Sequence, residues 1–240
     1  MKKIILGCTT LLAAWSLSAA DSKDDITAAA KKLGEQANYS WKSTVVVPDD
    51  APFHPGPTDG KTEKDGYTCV KSSFGDNTTE TVKKGDKAVF TNQEGEWQTP
   101  EEAGQQQGPG RFMAGMARTL RTPAEQAVEV ANGVKEFKAD GDAIGGDLTE
   151  EAAKNLLRMR RGGANGGGPT ISDAKGSAKF WIKDGLLTKY EFKVSGKVTF
   201  NGNERDVDRT TTTEIKAVGS TKVEVPEAAK KKLEAPAAAK

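Results

Sequence analysis

The residues able to do chemistry in this chain are few, and their spacing argues against catalysis. The only histidine is His54, held in Phe53-His54-Pro55. A catalytic triad or a metal site needs partners at recognisable spacing, and His54 has none, so it reads as an exposed loop residue. Cys69 lies mid-strand beside Tyr67 and reads as a small buried apolar side chain rather than a nucleophile. Asp140-Gly141-Asp142-Ala143-Ile144-Gly145, with Glu151 at the twelfth place, imitates a calcium loop. Its fifth position should be Asp or Asn and is Ile144, and its eighth should be apolar and is Asp147. A turn leading into a helix capped at Thr149 explains these residues better. Residues 162–168 are glycine-rich, but no Lys-Ser or Lys-Thr follows, so they form no phosphate loop. Arg158, Arg160 and Arg161 stand beside that run. They suit a helix C-terminus, and they are also candidates for a lipid headgroup or an acidic partner.

The elements around these residues are legible from periodicity. Residues 22–37 predict a helix, with Ile26, Ala29, Ala30, Leu33 and Ala37 at helical spacing. Residues 39–47 predict a strand, with Tyr39, Trp41, Val45 and Val47 on one face. The proline-bearing stretch 48–60 predicts an irregular connection. Strands are then expected at 67–74, 78–83 and 87–92 and around Trp97, joined by tight turns in an antiparallel meander. Phe112, Met113, Met116 and Leu120 share one face of a helix. Thr122-Pro123-Ala124-Glu125 opens the next with a capping box and a first-turn proline. A strand within 134–144 and a helix after Thr149 follow. Residues 158–169 cannot bury a core and predict a flexible loop. Strands are expected again at 177–183 and 186–195, which meet at Asp184-Gly185. Further strands are expected at 198–200, 206–217 and 221–225, with a short charged helix from Pro226 and a disordered tail over 234–240. Strands, helices midway, then strands again indicate an α+β fold.

Composition narrows the function. The chain has 240 residues, 29% charged and 35% apolar. Met1-Lys2-Lys3, an apolar run over 4–17 and Ser18-Ala19-Ala20 predict a secretory signal peptide over 1–20, cleaved before Asp21. Ile5-Leu6-Gly7-Cys8 resembles a lipobox that would lipidate Cys8, but it leaves too short an apolar core for a signal sequence. A periplasmic or secreted protein is expected, in which ATP-driven or nicotinamide chemistry is out of place. Loss of Lys2 and Lys3 takes the net charge from +1 to −1, which leaves no footprint for nucleic acid. No later apolar run approaches the ~18–20 residues of a membrane span. One cysteine remains after cleavage, so no internal disulfide can form.

The order of motifs resembles the LolA-like superfamily, which includes LolA, LolB, the LprG/LppX-type lipoproteins and the amino-terminal domain of RseB. A helix runs into a strand over 26–47. The meander contains Gly85-Asp86-Lys87-Ala88-Val89-Phe90 and Gly95-Glu96-Trp97. The hairpin Phe180-Trp181-Ile182-Lys183-Asp184-Gly185-Leu186 and the ending Val223-Glu224-Val225-Pro226 complete the likeness. The glycine-rich loop and the proline connection have no counterpart in that pattern. The resemblance implies one LolA-like domain over 21–233, a curved antiparallel sheet forming an incomplete β-barrel, with helices packed on its concave face. It also implies an apolar cavity for acyl chains. Its candidate lining is Trp41, Val45, Phe90, Trp97, Phe112, Met113, Met116, Leu120, Leu156, Trp181, Tyr190 and Phe192. Plain core packing is the competing reading of these residues.

Two functions fit. One is a non-enzymatic carrier or chaperone of a lipid or lipidated protein, with no cofactor and no metal. The other is an envelope sensor or interaction domain, like RseB, acting on a protein partner. A hydrolase is set aside because no nucleophile–base pair is visible.

Overall fold

The computed structural model describes residues 19–75, 77–105, 109–158, 169–200 and 202–235. Its frame is one open antiparallel sheet of eleven strands. Helix α1 (Ala19–Gly34) leads into β1 (Asn38–Val46). A first meander continues through β2 (Pro55–Glu63), β3 (Thr68–Phe74), β4 (Asn77–Lys84), β5 (Lys87–Thr91) and β6 (Trp97–Gln98). Three helices follow, α2 (Pro100–Gly104), α3 (Pro109–Arg118) and α4 (Pro123–Asn132). A second meander contains β7 (Lys138–Asp140), β8 (Ala143–Asp147), the inserted helix α5 (Glu150–Leu157), β9 (Thr170–Lys183), β10 (Leu186–Phe200) and β11 (Asn203–Lys216). Helix α6 (Glu227–Glu234) follows β11. The sheet order β6-β5-β4-β3-β2-β1-β11-β10-β9-β8-β7 joins the two meanders along the β1–β11 seam.

Register sorts the side chains by face. Trp41 stands opposite Ile215 on one side and Gly60 on the other, and Gly60 stands opposite Val70. Tyr190 pairs with Thr213 and Phe180, and Phe192 with Thr211 and Ala178. These positions define the inner face. Its main core joins Ile26, Ala30 and Leu33 of α1, Ala127, Val130 and Ala131 of α4, and Leu157 of α5 to Tyr39, Trp41, Phe180, Tyr190, Phe192 and Val194. A second inner cluster packs Ala103, Ala114 and Ala117 of α2 and α3 on Ala88 and Phe90.

The outer face holds α6. Val82 stands opposite Val89, both point away from Phe90, and Ala229 and Leu233 cover them. Among the described residues, five helices therefore sit on the inner face and α6 on the other. Lys232 of α6 reaches Glu102 of α2 at 2.7 Å, which joins helices on opposite faces of the sheet.

Several sequence expectations are corrected. Residues 48–60 are not wholly irregular, because Pro55–Glu63 is strand β2. Its glycines hid it. A Cβ on Gly60 would fall 2.0 Å from the Trp41 ring, so that strand position must stay bare for the indole to lie on it. The strand expected within 134–144 is instead the β7–β8 hairpin, turning at Gly141 with φ +65°. Residues 221–225 form no strand. The Thr221 N–H donates to Asn38 Oδ1 at 2.6 Å and its hydroxyl to the Ala217 carbonyl, so its hydrogen bonds go to a turn rather than a ladder. Helix α2, absent from the sequence reading, is opened by a capping box between Thr99 and Glu102. The strands expected at 186–195 and 198–200 are one strand, β10. The expected loop over 158–169 lies outside the described residues except for Arg158 and Pro169, as does the tail beyond Ala235. The signal-peptide expectation also falls outside them, save for Ala19 and Ala20 in α1.

Candidate functional site

The three longest strands outrun their neighbours. β8 pairs β9 only as far as Asp147 opposite Ser177, and β1 leaves β11 at Val46 opposite Thr210. Past those points β9, β10 and β11 continue alone as a three-stranded ribbon that turns at Gly202. The alternation of β10 keeps Val194, Gly196 and Val198 on the inner face, where they face Arg209, Val207 and Arg205. Ile171 stands opposite Val198 on the other side. The C-terminal turn of α5 lies above this surface. Leu157 comes so near that a Cβ on Gly196 would fall 2.9 Å from its Cδ1.

A half-open space of about 1660 Å³ surrounds the ribbon. It wraps round the open edges onto the outer face, where Lys193 and Lys197 also line it, so the inner trough is only part of that volume. The total exceeds the ~300–1,000 Å³ usual for a small-molecule pocket. The trough floor is apolar, built from Val45, Leu157, Ala174, Val198 and Val207. Its far wall is the loop after β1, with Pro48, Ala51, Pro52 and the half-exposed Phe53. Both Arg158 and Pro169, the residues flanking 159–168, line it.

The residues proposed from sequence as a cavity wall are not gathered in one place. Val45 and Arg158 line the trough. Leu156 packs beside it, and its carbonyl accepts a hydrogen bond from Arg209. Trp41, Tyr190 and Phe192 are buried in the main core, where the Tyr190 hydroxyl meets Gln126 Oε1 at 2.6 Å. Phe90 and Met113 belong to the α2–α3 cluster, and Trp97 to the outer cluster under α6. Met116 is half-buried on α3, and Phe112 is 40% exposed. Leu120 packs on the main core, and its carbonyl accepts from Lys83 Nζ at 2.9 Å. Trp181 is on the outer face, with Lys189 Nζ 4.0 Å from its ring centroid and its Nε1 donating to Asp142 at 2.9 Å. Arg160 and Arg161 lie outside the described residues.

The sequence reading did not name Leu157, Val198, Val207, Arg205 or Arg209 as lining residues. A signal existed, because Glu204-Arg205-Asp206-Val207-Asp208-Arg209 alternates with period two and has a distinct inner set.

Among the described residues, no group of three or more His, Cys, Asp and Glu side chains is placed to hold a metal ion. His54 is exposed in its loop. Cys69 is on the outer face under the segment leading to α6, with Sγ 3.9 Å from the Glu224 carbonyl. Burial, reinforced by Glu63 and Glu80, pushes its thiol up to about 11. A thiol so shifted stays protonated and unreactive near neutral pH. A smaller cavity of about 550 Å³ lies between Tyr39, Thr62, Thr68 and the start of α4. Burial raises the Tyr39 phenol, and Thr122 and the Ala124 backbone oppose that shift.

No family model matches the sequence, and no curated protein does. The chain is similar to two solved mycobacterial proteins. LprF from Mycobacterium bovis is 10% identical, with 88% of this chain and 99% of that one covered and a TM-score of 0.45. The Mycobacterium tuberculosis lipoprotein LppX is 9% identical, with 87% and 100% covered and a TM-score of 0.44. At these values the likeness carries no statement about function. Among the described residues, no helix is long and apolar enough to cross a membrane.

Proposed function

We propose that this protein is a non-enzymatic carrier of lipid or lipidated protein in the cell envelope, and that acyl chains lie in the trough under the ribbon. The observation that carries this reading is an apolar sheet surface left uncovered. Helices α1, α4 and α5 bury the inner face as far as Leu157, while Val198 and Val207 beyond it are only partly buried and line the half-open space. A half-covered apolar surface of this kind marks a binding groove. Each CH₂ moved from water onto it contributes about 0.8 kcal/mol, so a dozen carbons supply roughly 10 kcal/mol before the costs of association. The LolA-like plan that the sequence resembles supports the same reading, as does the export signal expected at the N-terminus.

The test is extraction of the purified chain with organic solvent and mass spectrometry of the extract, together with titration of a fluorescent fatty acid. Near-stoichiometric lipid, or saturable binding that Val207→Asp weakens at least about tenfold, supports the carrier. Val46→Asp, on the exposed outer face of β1, should leave binding unchanged. An empty protein that also ignores the probe sinks the reading.

The open ribbon edges favour a second reading. Beyond Val46 nothing pairs with β11 on the β1 side, and beyond Ser177 nothing pairs with the rest of β9 on the β8 side, among the described residues. An envelope sensor could add a partner's strand there. Capture of one envelope protein that is lost when a proline replaces Val207 would favour it.

A further inference from the structure

The charges of β11 are sorted by face. Glu204, Asp206 and Asp208 point outward, where Lys197 meets Glu204 at 3.3 Å and Lys193 meets Asp208 at 3.3 Å. Arg205 and Arg209 point inward to the trough, opposite Val198 and Val194. Arg209 is 8% exposed and donates to the Leu156 carbonyl, so it holds the end of α5 over the sheet. Arg205 is exposed and has apolar neighbours, Val198 across the ladder and Val207 along its own face. Among the described residues no carboxylate pairs with it. Asp50, Asp147, Glu150 and Asp173 also line the space, and Asp206 and Asp208 line it from the outer face. The inner side of this strand therefore presents a guanidinium at the end of an apolar floor.

We propose that the trough selects an acyl lipid with an anionic headgroup. The acyl chain lies on Val198 and Val207, and the carboxylate or phosphate meets Arg205 at the exposed end. This rests on the trough being the acyl site argued above. A guanidinium suits the task because its planar fork matches both oxyanions and stays charged at every physiological pH. Glu204 and Asp208 of the same strand are paired with lysines on the opposite face, and Asp206 points to that face as well.

The experiment uses the full chain, a fluorescent long-chain fatty acid and its methyl ester, titrated at pH 8 in low salt. The acid should bind about tenfold tighter than the ester, and added salt should erode the difference. Arg205→Gln should abolish the preference while leaving the ester's affinity in place, and Arg205→Lys should keep part of it. Lys216→Gln, on the outer face of the same strand and away from the trough, should change neither. If acid and ester bind equally, the headgroup assignment fails and the acyl site stands. If neither binds, both fail. If inorganic phosphate displaces the acid at matching concentration, Arg205 serves a free anion without an acyl requirement, and the proposal is overturned.

Discussion

Gly60 and Trp41 show how one bare position sets a core. The indole lies on the strand where a side chain would be, and a methyl there would overlap Trp41 Cζ2. Gly60→Ala should therefore destabilise the fold by about 1–3 kcal/mol, read from the urea midpoint. Arg209 is the polar counterpart. Arg209→Met leaves the Leu156 carbonyl without its donor and should cost about 1–3 kcal/mol, with the loss concentrated in α5 exchange protection. Cys69 gives a pH test. Its folded value, about 11, lies above the ordinary thiol value of 9.0, so the folded state holds the proton more tightly. The stability this represents is complete below the unfolded value and is lost as pH rises through the window from 9.0 to about 11. Alkylation at pH 8 should be slow in the native chain and fast in urea. Rapid native labelling would contradict the assigned burial.

At the scale of elements, legibility followed the strength of the local signal. Thr122 caps α4 with a reciprocal Glu125 bond, as its sequence implies, and Thr149 caps α5 by accepting from Ala152. Thr149→Ala should cost about 1 kcal/mol, measured by thermal or urea unfolding. The Asp184-Gly185 turn has positive φ at both residues, 53° and 71°, which the Asp-Gly pair permits. Failures came where tertiary contact overrode composition. Strand β2 looks like a loop because Pro55, Gly56, Pro57 and Gly60 are loop residues elsewhere, yet Gly60 and Gly56 are bare to admit Trp41 and Ser73. The segment 221–225 looks like a strand because Val223 and Val225 alternate with charges, but no neighbouring edge accepts it. The trough was legible only in part. Val45 and Arg158 could be named, while the aromatic residues drew attention to cores that were already full. Lys232 and Glu102 make a close pair, but both are partly exposed. Lys232→Ala should therefore cost under about 1 kcal/mol.

The whole molecule is two meanders and one seam. The seam strands β1 and β11 lie at the middle of the sheet, with α1 and α4 over the inner face beside them. Amides of residues 39–45 and 189–193 should exchange only on global unfolding, whereas residues 197–200 and 202–208 of the ribbon should exchange through local opening. Uniform protection across both sets would show that the ribbon is not an independent extension. The seam also imposes an order on synthesis. As the chain emerges, β1 is made early and its neighbour β11 is among the last parts made. For most of that interval the finished first half carries Tyr39, Trp41 and Val45 along a strand with one unsatisfied side. The β11 side of β1 stays open until residue 216 arrives. A product that stops short of Asn203 lacks β11 altogether and keeps that edge of β1 unpaired.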